Sequence, residues 1–167
     1  HQGRTVTSRS IASCVEEAHR IASMPDFKGY IHDVGGPSAN FRANNCEKAK
    51  KFGVCKGKNC LTPKVCPNMR VDHSEYIELL KAIEAVPGVK KVFIRSGLRY
   101  DYILADNNNA FFRKLVSDHI SGHLKVAPAH CCNNVLALMG KPPIEDYDRF
   151  KAEFARLTKA AGKEQYI

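Results

Sequence analysis

Four cysteines, Cys46, Cys55, Cys60 and Cys66, follow one another as C-x8-C-x4-C-x5-C. Four thiolates at that density suit a tetrahedral zinc ion or an iron-sulfur cluster. The spacing is not a standard zinc-ribbon pattern, so a plainer reading stands beside this one: four reduced cysteines in a loop by composition alone. Order decides between them. From Pro37 to Arg70 the sequence has no convincing periodicity, and compact domains seldom carry so long a loop unless something orders it. Between Arg42 and Arg70 there are eight basic residues and one acid, Glu47, so this stretch holds +7 of the chain's formal +9. Its lysines favour thiolates and partly balance the negative charge of a metal-tetrathiolate centre.

The chain has seven cysteines in all, adding Cys14, Cys131 and Cys132, and an odd number cannot pair completely. A reducing cytosol fits this usage better than secretion. His130 beside Cys131 has the composition of a nucleophile pair, but sequence neighbours need not face each other. The basic loop also admits a second function class, a zinc-stabilised nucleic-acid-binding module that tracks phosphates. Only Phe41 and Phe52 offer stacking surfaces between residues 41 and 70, which weakens that alternative.

Three further candidate positions follow strand-like segments. Gly35-Gly36-Pro37 leaves bare backbone where a ligand can approach closely. Ser96 and Arg99 lie just after the apolar run Val92-Phe93-Ile94, and Lys125 lies near the end of Leu124 to Val126. In parallel α/β structures such carboxyl-end positions converge on one site. Each residue taken singly fits a tight turn or a surface ion pair; together they point to a site.

The elements that must position them alternate. Ser8 or Ser10 caps a helix with apolar positions Ile11, Cys14, Val15, Ala18, Ile21 and Ala22, ended by Pro25. Tyr30, Ile31 and Val34 predict a strand. Asp72 and Glu75 have capping-box spacing before Ile77, Leu80 and Ile83. A strand Lys91 to Ile94, a helix Asn109 to Ile120, a strand His123 to Pro128, a short helix around Val135 to Met139 and a last helix with Tyr147, Phe150, Phe154 and Leu157 on one face complete the order. This alternation predicts an α/β fold built from βαβ units with parallel strands. So few strands fit a partial (β/α) barrel, open through truncation, better than a complete doubly wound domain. An uncovered sheet edge predicts dimers or weak association. No apolar run reaches 18 residues and the first 25 residues lack a signal-peptide pattern, so a soluble, cytoplasmic protein without a membrane partner is expected. The sequence opens on His1 and stops at Gln165-Tyr166-Ile167, like a strand beginning; both ends read as cuts within a longer protein.

The ordered blocks carry a resemblance. His1-Gln2-Gly3-Arg4 with Ser8-Arg9-Ser10, Asp33 to Asn40, the cysteine loop closed by Cys66-Pro67-Asn68, Asp72-His73, Lys90-Lys91-Val92, Ser96 to Asp101, Leu124 to Pro128 and Met139 to Pro142 together resemble YgiQ-type radical S-adenosylmethionine (SAM) proteins over essentially the whole chain. The resemblance implies a partial TIM-type radical SAM core at residues 1–167, with a cysteine-rich basic insert at about 41–70. It implies that Gly35, Gly36 and Pro37 correspond to the turn meeting the methionyl amine of SAM, with Ser96, Arg99 and Lys125 near its ribose or carboxylate. Family chemistry is reductive cleavage of SAM by a [4Fe-4S] cluster to give a 5'-deoxyadenosyl radical. The cluster-binding C-x3-C-x2-C spacing is absent here, so this chain alone is expected to be inactive. The loop tetrad, as zinc or an auxiliary cluster, is separate from the catalytic cluster. The family's Pro-Glu-His is Pro128-Ala129-His130 in this chain, which removes a carboxylate on the substrate side. Which substrate is acted on is not legible.

Overall fold

The structure, a computed structural model, describes residues 6–36, 40–42, 46–57, 60–62 and 64–167. Pro37 lies outside the described residues. Helix α1 (Ile11–Ala22) starts where Ser10 accepts a hydrogen bond from the Ser13 amide at 3.2 Å. This relieves one of the amides that a helix start leaves without an intrahelical partner. Its stripe of Ile11, Cys14, Val15, Ala18 and Ala22 packs on the core. The helix ends before Pro25, with the Ser23 hydroxyl donating to the His19 carbonyl at 2.8 Å.

Strand β1 (Tyr30–Ile31) pairs in parallel with β2 (Lys91–Val92), Tyr30 opposite Lys91 and Ile31 opposite Val92. Both are shorter than the apolar pattern predicts, although hydrogen bonds from Phe93 N to Ile31 O (2.9 Å) and Val34 N to Phe93 O (3.1 Å) carry the pairing onward. Gly29 begins it. Its φ is +94°, a conformation that favours glycine, and a Cβ there would also lie 2.7 Å from the Lys90 side chain. The expected strand from His123 to Pro128 is reduced to single parallel bridges, His123 to Tyr166 and Leu98 to Val126. Pro128 has no amide proton, and the Ile94 amide turns instead to the His119 carbonyl at 2.9 Å.

Between the cysteines the structure has a helix that periodicity did not announce, α2 (Glu47–Phe52), with Cys46 at its N-cap and no buried side chain. Helix α3 (Ser74–Glu84) buries Tyr76, Leu79, Leu80 and Ile83. Its capping differs from the expected box: the Asp72 carboxylate accepts from the Ser74 amide at 2.8 Å, and His73 is the N-cap. Helices α4 (Tyr100–Leu104) and α5 (Ala110–Lys114) follow, and α5 continues into a π-helical turn, Leu115–His119. Helix α6 is Asn133–Leu138 and α7 is Ile144–Ala160.

The core packs one face each of α1, α3 and α7 with the sheet, and rings from α4, α5 and α7 form an aromatic cluster within it. Phe112 stacks on Phe150 with centroids 4.8 Å apart, and Phe154 and Tyr100 flank Phe150 at 6.5 and 5.8 Å. Phe150, Phe154 and Leu157 are buried as the periodicity of α7 predicts, with Tyr147 packed partly against them. One polar atom there has no partner: the Tyr100 hydroxyl is buried without a hydrogen bond, and burial pushes its pKa up to about 12. A buried orphan hydroxyl costs on the order of 1–3 kcal/mol, so Tyr100→Phe is expected to leave stability unchanged or raise it by up to about that amount. Urea unfolding checks this; a loss above about 1 kcal/mol would show that the hydroxyl is satisfied.

Candidate functional site

Asp33 ties together two of the strand ends. Its carboxylate accepts from the Arg95 amide at 2.8 Å and the Ser96 amide at 3.0 Å, and the Ser96 hydroxyl also donates to it. Partial burial works against the charge, yet the hydrogen bonds from Ser96 and Arg95 outweigh it and hold the carboxyl below its ordinary range. The turn that carries Ser96 is thereby pinned to Asp33, two residues before Gly35 in the chain. Gly35 is exposed and Gly36 half-buried. A Cβ at Gly36 would meet nothing within 4 Å, so its backbone faces open space. Just before them, the buried Tyr76 hydroxyl donates to the Val34 carbonyl, fixing where β1's continuation ends.

A second tie holds Arg99. The side-chain oxygen of Asn40 accepts from the Arg99 amide at 2.8 Å, and its nitrogen donates to the Arg99 carbonyl at 3.0 Å. Asn40 is 1% exposed. The same amide nitrogen lies 3.3 Å from Nε2 of His73, whose Nδ1 lies 2.6 Å from the Asp106 carboxylate. These partners assign the tautomer: Nδ1–H donates to Asp106 and the Nε2 lone pair accepts from Asn40. Burial lowers the pKa of His73 and outweighs the opposing pull of Asp106, so the imidazole is neutral. It stacks on Phe111 at 4.4 Å.

A histidine held neutral in the folded chain binds a proton more readily when unfolded, so stability rises with pH across the interval between the two pKa values. Stability should therefore fall as pH drops below about 6.5, by at most about 1.4 kcal/mol per pH unit for this one group. Urea midpoints measured against pH will show it, and His73→Gln should flatten the slope. An identical slope in the variant would assign the dependence elsewhere.

Arg99's guanidinium is already engaged, with Nε donating to Asp101 at 2.8 Å and a terminal nitrogen to the other carboxylate oxygen, and it lies 5.8 Å above the Phe41 ring. The pair is close to neutral, so Arg99 offers a ligand its spare N–H donors rather than a free charge. Lys125 is exposed, and its carbonyl accepts from the Leu98 amide at 3.0 Å, placing it alongside the Ser96 to Arg99 segment. Nearby Ala129 has φ of +74°, unusual for a residue with a side chain. His130 faces its own backbone, Nδ1 accepting from the Cys132 amide at 2.9 Å; Cys131 and Cys132 are exposed and free.

The four loop cysteines share a neighbourhood. Cys46 bridges Met69 in antiparallel fashion, the Cys66 amide donates to the Cys60 carbonyl at 2.8 Å, and Cys46 Sγ accepts from the Ala49 amide at 3.4 Å. Cys60 feels the charges of all three others. Its own burial, and then these neighbours, raise its pKa. Among the described residues no three of these sulfurs lie within 4.8 Å of one another, whereas Glu84, Asp118 and His119 do form such a group of ligand atoms. The donor set suits a thiophilic metal.

Asp33, Asn40, His73 and Asp106 organise the strand ends without having been singled out for a role from the sequence. Asp33, Asn40 and His73 stand inside the recognisable blocks, but a partner 33 or 59 residues away, as for Asn40 with His73 and Arg99, leaves no local pattern.

The chain is thus a helix-rich unit on a two-stranded parallel sheet, with a strand-end cluster beside a cysteine-rich loop. Over all 167 residues it is 58% identical to a UPF0313 protein of Clostridium perfringens, covering 25% of that protein, and 52% identical to one from Clostridium botulinum strain Okra, covering 26%. The chain spans about a quarter of the length of the UPF0313 proteins it matches. No family model and no solved structure matches it. No helix among the described residues is long and apolar enough to cross a membrane.

Proposed function

We propose that this chain is part of a radical SAM core, a partial (β/α) barrel with parallel strands, and that its strand ends bind the methionyl and ribose parts of SAM. The observation that carries the reading is that Asp33 holds Ser96, and Asn40 holds Arg99, at the ends of parallel-paired segments, with the backbone of Gly36 open three residues beyond Asp33. Bare backbone at Gly35 and Gly36 accommodates an ammonium and carboxylate without a side chain in the way. The Ser96 hydroxyl, oriented by Asp33, keeps lone pairs for a ribose hydroxyl, and the spare donors of Arg99 suit a carboxylate. Lys125 adds an exposed cation along the same edge.

A [4Fe-4S] cluster would supply the electron for reductive SAM cleavage. Its three cysteine ligands are not among this chain's residues in the required spacing, so the chain's contribution is to bind and orient SAM. A longer protein containing this segment, reconstituted anaerobically with iron and sulfide and reduced with dithionite, should release 5'-deoxyadenosine from SAM, whereas the chain alone should leave SAM intact. Absence of 5'-deoxyadenosine from the longer, cluster-loaded protein would sink the proposal. Its appearance with the chain alone would make the loop cysteines catalytic ligands.

A nucleic-acid reading draws on the basic loop, where Phe52 is 81% exposed beside Lys50 and Lys51. A salt titration of RNA binding separates it: phosphate tracking predicts an affinity that falls steeply with salt.

A further inference from the structure

We infer that Glu84, Asp118 and His119 form a binding site for a divalent transition ion of the zinc type, apart from both the strand ends and the cysteine loop. Their ligand atoms lie within 4.8 Å of one another. The end of α3 provides Glu84, and the π-helical turn provides Asp118 and His119. A π-turn inserts an extra residue into the helical repeat, and such turns occur often at functional sites.

His119 is the observation that distinguishes this group from an ordinary acidic cluster. Its side chain is fully buried, its Nδ1 lies 2.8 Å from the Val92 carbonyl, and its Nε2 has no hydrogen-bond partner. The carbonyl fixes the proton on Nδ1, so Nε2 presents a bare lone pair 3.7 Å from the Glu84 carboxylate. Metal-binding histidines are commonly held this way, the second ring nitrogen donating to a backbone carbonyl. Burial keeps the imidazole neutral, its ligating form.

Lys114 shows that the carboxylates attract a cation. Its ammonium lies 3.1 Å from both Glu84 and Asp118. An ammonium cannot satisfy the Nε2 lone pair from there, and Nε2 remains unpaired; a metal ion can use all three groups. One imidazole and two carboxylates favour zinc, cobalt or nickel over magnesium or calcium. The partly exposed carboxylates leave a route in and a position for water.

The test uses the whole chain, labelled with nitrogen-15, titrated with Zn2+ while the histidine ring nitrogens are followed by NMR. This readout is specific to His119 and separates the site from the thiols. The Nε2 resonance of His119 should shift to its metal-bound position. Lys114→Met should tighten zinc binding at this site by about tenfold, the scale of two partly exposed ion pairs no longer competing, and Glu84→Gln should weaken it without disturbing the buried ring. His119 resonances unchanged through the titration, a Lys114→Met affinity no tighter than the parent's, or a protonated Nε2 bonded to Glu84 would each overturn the assignment.

Discussion

Chelation of metal from the cysteine loop will expose protease sites between Lys48 and Lys64 while α1, α3 and α7 stay resistant. The reason lies in what each part buries. Helix α2 buries no side chain, Cys55 is exposed, and Phe52 projects into solvent. The lysines around them repel one another. Thiolate coordination would supply roughly 10–16 kcal/mol of apparent binding free energy near neutral pH, as in zinc-finger peptides. That is ample to order a segment with almost no apolar core. Each thiol must lose its proton to bind, so affinity should fall on acidification. Cys60→Ser should lose the bound metal in elemental analysis. A loop equally resistant to protease with and without chelator, in a chain that carries no metal, would refute the site.

Phe150→Ala should remove about 3–5 kcal/mol of stability, the usual cost of deleting a large buried aromatic side chain. The residue is fully buried and joins three rings, Phe112, Phe154 and Tyr100. Small domains are stable by only about 5–15 kcal/mol, so this loss approaches unfolding. Urea denaturation measures it directly, and a change under about 1 kcal/mol would show that the ring cluster relaxes around the cavity. The two experiments separate the halves of the molecule: loss of metal should leave the aromatic core intact, and loss of the Phe150 ring should lower the stability of the whole fold.

Helices were legible in the sequence where one face must be apolar. Ile11, Cys14, Val15 and Ala18 in α1 and Phe150, Phe154 and Leu157 in α7 repeat with the helical period, and the structure packs those faces inward. Strands were legible in place but not in length. Val92-Phe93-Ile94 reads as one run, yet Ile94 pairs with His119 rather than with a strand, and single-residue bridges at His123 and Val126 depend on partners distant in the chain. Short α2 and α4 escaped because a six-residue and a five-residue helix scarcely complete a period. Of the candidate site, Gly35, Gly36, Ser96, Arg99 and Lys125 were visible as strand endings. The ties between them were not, since a buried asparagine looks like a loop residue until its partners are in place. Glu84 and His119 likewise stand 35 residues apart in the numbering, joined only by folding.

Asn40 acts as a substitute peptide unit. Its side-chain carbonyl and amide make with Arg99 the same pair of hydrogen bonds that a neighbouring strand would make, so one residue closes a stretch of backbone edge without a strand being present. The mimicry is chemically selective. It requires a donor and an acceptor side by side, and the donor must also face the lone pair of His73. A carboxylate in this place would set negative charge against the Arg99 carbonyl and the imidazole nitrogen at once. Only an amide of this length matches both, and any pull on residue 40 is felt at Arg99 and, through His73, at Asp106.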